Sequence, residues 1–258
     1  MKKLELKKGV FIIPSLFTVS NLFFGFSCMV LAQLENYRMA AAMIFIAGIM
    51  DMLDGRIARL TGTESHFGAE LDSIVDVVSF GVAPAFLVYH WAFTGADLNA
   101  FPIIRRLGWA AAFLFLTCGA LRLARFNIQK GRVSSRYFVG LPIPAGAALV
   151  ASLVLRFPNG VNMPFFSYLA FALVVFTALM MVSRARYRSF KDINLKSKAS
   201  STVMVAIAIV IMGILVSPST VLSLAFGLYL IHPFGNRVFL QNETASKTKE
   251  SPLSDEEE

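Results

Sequence analysis

Four aspartates lie among apolar residues between positions 51 and 76: Asp51, Asp54, Asp72 and Asp76. The first pair is spaced i, i+3 and the second pair i, i+4, so each pair shares one face of a helix. The sequence TGTESHFG between the pairs is rich in Gly, Ser and Thr, which predicts a turn joining two antiparallel helices. We therefore expect all four carboxylates to converge at one end of a helical hairpin.

Converging carboxylates repel one another, and each costs several kcal/mol to desolvate unless it is paired or neutralised. A divalent cation removes this cost. Hard oxygen ligands favour Mg²⁺, Mn²⁺ or Ca²⁺, and the sequence has no Cys or His cluster that would favour zinc. Carboxylate-bound Mg²⁺ commonly completes its shell with substrate phosphates, and two such ions can clamp a phosphoryl centre. The pattern indicates metal-assisted phosphoryl chemistry.

Two other interpretations of the aspartates remain open. Charges near helix ends can reach the membrane interface without any catalytic role, and Asp51 could form an ordinary ion pair with Arg59. A cation transporter also places acids in spanning helices. However, a transporter favours acids near the bilayer midplane and helix breaks in paired halves, whereas these acids are predicted at one face and no internal repeat is evident.

The composition predicts an all-α, polytopic membrane helix bundle. Of the 258 residues, 56% are hydrophobic and 16% are charged, with a mean hydropathy of +0.65. Soluble domains average about 45 to 50% apolar and about 25% charged residues. Because a spanning helix needs about 20 apolar residues, eight spans are predicted, at 14–34, 39–59, 71–93, 107–126, 141–155, 163–182, 200–216 and 221–233.

These spans form one membrane domain, residues 1–240. It divides into a six-helix core at about 14–182 and two additional helices at about 200–233. The remaining residues, 241–258, are polar, lack aromatic residues and end in an acidic cluster. That composition predicts a disordered tail.

The distribution of cations predicts that both termini lie in the cytoplasm. Lys and Arg accumulate in cytoplasmic loops, and with the N-terminus inside, all but four of the 24 Lys and Arg residues lie on the N-terminal face. The exceptions are Arg38, Arg105, Arg106 and Arg156. The net charge of +8 therefore belongs mainly to one face, where it suits anionic membrane lipids or phosphate-bearing substrates. No nucleic-acid-binding motif accompanies it, so no nucleic-acid partner is expected.

The aspartates belong to a longer pattern that matches the complete signature of the CDP-alcohol phosphatidyltransferases: Asp51-x2-Asp54-Gly55-x2-Ala58-Arg59-x8-Gly68-x3-Asp72-x3-Asp76. By this resemblance the chain is identified as a member of that family. The resemblance implies an integral enzyme of the bacterial inner membrane, with its active site facing the cytoplasm. In the reaction that this resemblance implies, a CDP-linked lipid donates its phosphatidyl group to an alcohol, and CMP leaves. The resemblance also suggests a homodimer.

The resemblance implies a role for each signature position. The four aspartates would share two divalent ions, Mg²⁺ or Mn²⁺, and Asp76 would also be the base that takes the proton of the acceptor hydroxyl. The CDP-lipid site would include Gly55, Ala58, Arg59 and Gly68. On the first predicted span, Thr18 and Asn21 share a face by their i, i+3 spacing, and either cytidine contacts or helix-packing hydrogen bonds would account for them.

Three further stretches resemble the bacterial phosphatidylserine synthases of this family: SFGVAPAF (79–86), CGALRLARFN (118–127) and GLPIPAGAA (140–148). The substrates implied are CDP-diacylglycerol and L-serine. Arg122 and Arg125, followed by Asn127, form a charged fork suited to the serine carboxylate. Anchoring of the helix end at the membrane surface is the alternative role for these arginines.

Other acceptor alcohols remain open: glycerol 3-phosphate, inositol phosphate and choline. A phosphorylated acceptor would need a denser basic cluster, and choline would need an aromatic cage.

The predicted topology can be tested by cysteine labelling in intact cells. A cysteine introduced at Ser65 should react with an impermeant thiol reagent only from the cytoplasmic side, and one at Gly95 only from the opposite side. The unsubstituted protein is the control for labelling at Cys28 and Cys118, which lie within predicted spans. Labelling of both introduced cysteines from one side would contradict the span count between them.

Overall fold

The computed structural model describes residues 2–62, 65–95, 102–129, 137–161, 163–183, 185–188, 212–213 and 216–249. Its main elements, in chain order, are α1 (Lys2–Gln33), α2 (Tyr37–Thr61), α3 (His66–Asp76), a π-helix (Val77–Val82), α4 (Ala83–Phe93), α5 (Pro102–Gln129), β1 (Tyr137–Val139), α6 (Ile143–Arg156), α7 (Pro164–Val182), β2 (Arg186–Arg188) and α8 (Pro218–Lys249).

The structure is that of a membrane protein. Within the described ranges, four helical segments are long and apolar enough to cross a bilayer: Leu16–Gln33, His66–Phe93, Pro102–Ile128 and Pro164–Val182. The third of the predicted spans, 71–93, is therefore part of a continuous rod formed by α3, the π-helix and α4. Helix α6 is apolar but shorter, with 14 residues, and α2, with 25 residues, carries the charged signature residues Asp51, Asp54 and Arg59.

The prediction of eight spans is met only in part. The first six predicted spans fall on α1, α2, the α3–α4 rod, α5, α6 and α7, and the eighth falls within α8. Most of the seventh, 200–216, lies outside the described residues. The count of eight and the cytoplasmic location of both termini stay predictions.

The all-α fold class is confirmed, because helices make up nearly all of the described residues. Beside the helices, β1 and β2 pair as a short antiparallel ribbon that aligns Phe138 with Tyr187. Helix α8 extends to Lys249, and the disorder expected of residues 241–258 from their composition stays a prediction. Residues 250–258 lie outside the described chain.

The ribbon holds the C-terminal end of α7 against α8 and the start of α6. Gly140, at φ 82°, donates its backbone N–H to Ala185 at 2.8 Å. The Tyr187 hydroxyl donates to the Leu230 carbonyl of α8 at 3.3 Å. Burial and the neighbouring Tyr229 raise the pKa of Tyr187 to about 12, so this donor stays protonated. The ribbon thereby ties α8 to the six-helix core.

The turn predicted between the aspartate pairs is confirmed. Helix α2 ends at Gly62 in the left-handed conformation, φ 61°, which glycine adopts without steric cost. Helix α3 begins after Ser65, whose hydroxyl accepts the backbone N–H of Gly68 at 3.0 Å. This side-chain cap satisfies one of the free N–H groups at the helix start. The chain therefore reverses between Asp54 and Asp72.

Small residues let the first two helices pack closely. Helix α1 buries Cys28 and Ala32, while α2 buries Ala40 and Ala47 completely. In a bilayer, association of helices depends on such close backbone approach, because lipid provides little hydrophobic drive.

An even closer approach joins α1 to the π-helix. A Cβ on Gly25 would lie 2.5 Å from the Ser79 hydroxyl oxygen and 2.8 Å from the Ser79 Cα. The Ser79 hydroxyl donates to the Asn21 carbonyl at 3.1 Å. The π-helix follows Asp76 directly, and π-helical turns are frequent at functional sites. This contact sets the position of the aspartate-bearing rod relative to α1.

We predict that Gly25→Ala destabilises the protein by about 1 to 3 kcal/mol, because the added methyl group meets backbone and forces the two helices apart. Thermal unfolding in detergent measures the change. The matched control is Gly227→Ala on α8, where a Cβ meets nothing within 4 Å and alanine favours the helix by up to about 1 kcal/mol. Equal melting temperatures for Gly25→Ala and the unsubstituted protein would contradict the close contact.

Candidate functional site

Three of the four predicted aspartates form a compact cluster between α2 and α3. One carboxylate oxygen from each of Asp51, Asp72 and Asp76 lies within 4.8 Å of the other two. All three side chains are half-buried. Their spacing of i, i+4 on α3 places Asp72 and Asp76 on one face, as predicted. The structure therefore brings together carboxylates that the turn separates in sequence.

Asp54, the fourth aspartate, is held at the edge of this cluster by α1. It is 6% exposed, and the Thr18 hydroxyl donates to its Oδ2 at 3.0 Å. It lies close enough to Asp72 for the two carboxylates to repel each other. Thr18 thus has a definite contact in the structure, a hydrogen bond between helices that orients an acidic side chain.

The cluster has the chemistry of a divalent-cation site. The Asp76 Oδ1 atom is buried, and no hydrogen-bond donor reaches it from the part of the chain that the structure describes. Buried carboxylates at this separation are costly unless positive charge joins them. Carboxylate oxygens are the ligands preferred by Mg²⁺ and Mn²⁺. The residues present therefore fit a hard divalent cation.

Asn21 lies one turn after Thr18 on α1 and is fully buried. Neither its side-chain oxygen nor its side-chain nitrogen has a hydrogen-bond partner among the described residues. Leaving such a buried group unpaired costs about 1 to 3 kcal/mol. No described residue makes the helix-packing hydrogen bond considered for this side chain, whereas Thr18 makes one to Asp54. The Asn21 amide is thus available to a polar ligand.

The small and basic signature residues differ in their surroundings. A Cβ on Gly55 would meet nothing within 4 Å, so this part of α2 borders open space. The exposed Arg59 donates its Nε–H back to the Gly55 carbonyl at 2.8 Å, and Ala58 is half-buried on the same helix. Gly68 donates to Ser65, and a Cβ there would lie 3.0 Å from the Ser65 hydroxyl oxygen. The contacts of Gly68 are those of a helix start.

Arg122 is a buried cation beside the aspartates. Arg122 is 8% exposed, and its guanidinium carbon lies 5.3 Å from the centroid of the Phe126 ring. It is near enough to Asp76 and Tyr229 to interact with both electrostatically. Its buried Nε has no hydrogen-bond partner within the described ranges. A positive side chain with an unused donor thus stands next to the acidic cluster.

The other two residues of the predicted fork are placed differently. Arg125 is half-buried on the next turn of α5. Asn127 is exposed, and its side-chain amide donates to the Ser73 hydroxyl at 2.9 Å. Asn127 therefore joins α5 to α3 at Ser73, the residue after Asp72. Its contact with the acceptor carboxylate stays a prediction.

Sequence reasoning missed Tyr229 and Ser79. Tyr229 is on α8, near Arg122, and its ring centroid lies 5.2 Å from that of Tyr187. A tyrosine within an otherwise apolar span was the available signal. Ser79 makes the contact that positions the π-helix. A serine within the apolar stretch VVSFGV was the available signal.

Comparison with known proteins gives a consistent result. A family model described as CDP-alcohol phosphatidyltransferase matches residues 11–182. A protein of Helicobacter pylori strain J99 named CDP-diacylglycerol–serine O-phosphatidyltransferase is 37% identical, and the match covers 90% of this chain and 93% of that protein. A Mycobacterium leprae protein of the same name is 31% identical, over 86% of this chain and 74% of its own length. An archaetidylserine synthase of Methanothermobacter thermautotrophicus is 34% identical, and the match covers 68% of this chain and 69% of that protein.

We predict that Mn²⁺ binding depends on the aspartate cluster. Mn²⁺ should raise the melting temperature of the purified protein, since a ligand that binds only the folded state stabilises it. Asp51→Asn and Asp72→Asn should each remove most of this rise, because each variant takes one charged ligand from the cluster. Glu70→Gln, which changes an exposed acid on α3, should keep it. An undiminished rise in both aspartate variants would contradict the site.

Proposed function

The chain belongs to the CDP-alcohol phosphatidyltransferase family, and from this premise we propose that it transfers the phosphatidyl group of CDP-diacylglycerol to L-serine. The products are phosphatidylserine and CMP. The names of the Helicobacter and Mycobacterium relatives support both substrates. The observation that carries the proposal is the position of the buried Arg122 beside Asp76, at a cluster of three carboxylates.

The aspartate cluster is proposed to hold two divalent ions, Mg²⁺ or Mn²⁺. Asp51, Asp72 and Asp76 would be the central ligands, with Asp54 at the edge, oriented by Thr18. When bound, such ions neutralise the negative charge of the diphosphate and of the departing CMP. The four aspartates thereby serve to bind and orient the group that is transferred.

Asp76 is proposed as the general base. A carboxylate has two oxygens, and the buried Oδ1 of Asp76 lacks a donor among the described residues. Asp76 would take the proton of the serine hydroxyl as the serine oxygen bonds to the phosphorus that carries diacylglycerol. The bond from that phosphorus to the bridging oxygen breaks, and this oxygen leaves with CMP. Such a transfer needs positioning, charge neutralisation and one placed base.

Arg122 is proposed to bind the carboxylate of serine, with Arg125 contributing from the next turn. An arginine pairs with a carboxylate through two parallel N–H donors, and burial strengthens this pairing because water competes less. The nearby Asp76 would also favour the ammonium group of serine. A single buried cation suits a monoanionic carboxylate better than the phosphate of glycerol 3-phosphate or inositol phosphate. It disfavours choline, which is itself a cation.

The CDP-lipid is proposed to lie along α1 and α2. The open space beside Gly55 and Ala58 would admit the nucleotide, and the exposed Arg59 would face its phosphates. Asn21 would hydrogen-bond the nucleotide through its buried amide, which no described residue contacts by a hydrogen bond. Gly68, whose backbone N–H is capped by the Ser65 hydroxyl, would act by shaping the turn beside the site.

Location and assembly are also part of the proposal. The cation distribution supports a cytoplasmic active site in a bacterial inner membrane. The small residues of α2 permit close contacts between helices, and a homodimer is proposed from the family resemblance. A cation transporter is the alternative from another functional class. It is disfavoured because all the acids lie in the halves of α2 and of the α3–α4 rod that are nearer the α2–α3 turn, and no internal repeat is evident in the sequence.

The reaction is tested with purified protein, CDP-diacylglycerol, Mn²⁺ and a panel of alcohols, with CMP release as the measurement. Serine should give the fastest release. Release with glycerol 3-phosphate, inositol phosphate or choline instead would change the acceptor but keep the reaction class. Metal flux in vesicles without CMP from any alcohol would support the transporter.

We predict that Arg122→Ala raises the KM for serine about ten- to a hundredfold, because loss of a hydrogen bond to a charged group costs about 1.5 to 3 kcal/mol. The KM for CDP-diacylglycerol should change little, since other residues hold the diphosphate. Arg106→Ala, at an exposed position near the start of α5, is the matched control. Wild-type serine dependence in both Arg122→Ala and Arg125→Ala would assign these arginines to membrane anchoring.

A further inference from the structure

A cavity with a volume of about 480 Å³ lies at the end of the bundle away from the aspartate cluster. It is enclosed by α4, α6, α7 and the loop between α6 and α7. Among its lining residues, Asn159 has the only polar side chain apart from the Trp91 ring nitrogen. Its volume is within the range of about 300 to 1,000 Å³ that is typical of ligand sites. We call it the outer cavity.

The outer cavity is separate from the aspartate site. Trp91, which lines it, follows Asp76 by 15 residues along the rod of α3, the π-helix and α4. At about 1.5 Å per residue this places the cavity about 20 Å from the carboxylates. No residue proposed for the transferase reaction lines it.

The wall of the outer cavity is held by hydrogen bonds. The Trp91 ring N–H donates to the Phe157 carbonyl at 2.7 Å, and the Val161 backbone N–H donates to the Trp91 carbonyl at 2.9 Å. These bonds fasten the α6–α7 loop to the end of α4. The cavity is therefore formed by defined backbone contacts.

The mouth of the outer cavity faces hydrocarbon. The lining residues Phe166 and Leu169 are 51% and 58% exposed, and both are on α7, one of the candidate spanning helices. In a bilayer, the medium around such residues is lipid acyl chains. An apolar cavity of this kind does not hold stable water. The chemistry of the walls thus selects a hydrocarbon chain.

A cation stands at the edge of the outer cavity. The exposed Arg156 ends α6, and its guanidinium carbon lies 5.1 Å from the centroid of the Phe157 ring, which lines the cavity. It is also one of the few cations predicted on the face opposite the aspartates. An arginine at this depth attracts the phosphate of an anionic lipid.

We propose that the outer cavity binds one acyl chain of an anionic phospholipid from the leaflet opposite the aspartates, with the lipid phosphate at Arg156. The lipid is a bound structural ligand and undergoes no reaction. The chain would fill the space between α6 and α7 beneath their loop. This site is independent of the proposed transferase activity.

Tryptophan fluorescence provides a direct test. The protein has two tryptophans, so Trp109→Phe leaves Trp91 as the single reporter. In nanodiscs of phosphatidylglycerol with brominated acyl chains, Trp91 should be strongly quenched, although it is only 6% exposed. Ala170→Phe, which fills the cavity from α7, should reduce the quenching. Ala110→Phe makes the same change at an exposed position on α5 outside the cavity and should not.

The position of the bromines identifies the source of the chain. Trp91 contacts Phe157, next to Arg156, so bromines near the head group should quench it more than bromines near the chain end. The opposite order would overturn the proposal, because it indicates a chain that enters from the aspartate leaflet. Equal quenching in Ala170→Phe and its parent, or no quenching of Trp91, would also overturn it. Absence of Trp91 quenching is the result expected if a second protein copy fills the cavity.

The charge requirement is tested by replacing phosphatidylglycerol with phosphatidylcholine of the same brominated chains. The fraction of brominated lipid that gives half-maximal quenching of Trp91 should be about fivefold lower for phosphatidylglycerol than for phosphatidylcholine. One cation near the membrane surface provides a preference of this size. Arg156→Gln should abolish this difference, while Arg106→Gln should retain it. A difference that survives Arg156→Gln would overturn the proposed position of the phosphate.

Discussion

The mutual repulsion of three close carboxylates is the constraint on which the rest of the structure depends. Isolated in a hydrophobic bundle, these groups would separate or take up protons, since burying like charges together is unfavourable. The surrounding structure prevents their separation by holding α2, α3 and α1 in fixed positions. Under the proposed function, this repulsion would favour binding of a divalent cation and, through the cation, of a diphosphate.

Rigid backbone contacts bring this arrangement about. Gly25 allows α1 to approach the π-helix directly after Asp76, and Thr18 on the same helix orients Asp54. Helix α1 therefore acts on both halves of the aspartate signature, although it contributes none of the aspartates. A substitution that shifts α1 therefore also shifts aspartates on α2 and α3, because packed helices transmit such movements.

Helix α8 contributes to the same site, on the side where Arg122 lies. The β-ribbon and the Tyr187 hydroxyl hold α8 in place, and this brings Tyr229 near Arg122. The family model ends at residue 182, so α8 adds a contact to the proposed acceptor pocket from outside the matched region. A substitution in this helix is one physical means of adjusting the proposed pocket while the aspartates stay unchanged.

The sequence by itself determined the membrane class, the helical hairpin and the identity of the acidic cluster, because these follow from local composition and spacing. Periods of three and four residues place Asp72 and Asp76 on one face wherever the helix is formed, and Gly62 and Ser65 stop and start helices locally. The family signature is equally local, and the match to residues 11–182 agrees with it. Only the tertiary structure decided which distant residues join these elements. It assigned Thr18 to Asp54, left the Asn21 amide without a partner in the described part of the chain, and brought Arg122 to Asp76 and Tyr229. It also turned Asn127 toward Ser73 and formed the ribbon and the outer cavity. Such contacts depend on how helices far apart in sequence pack together, and spacing along one helix carries no information about its neighbours.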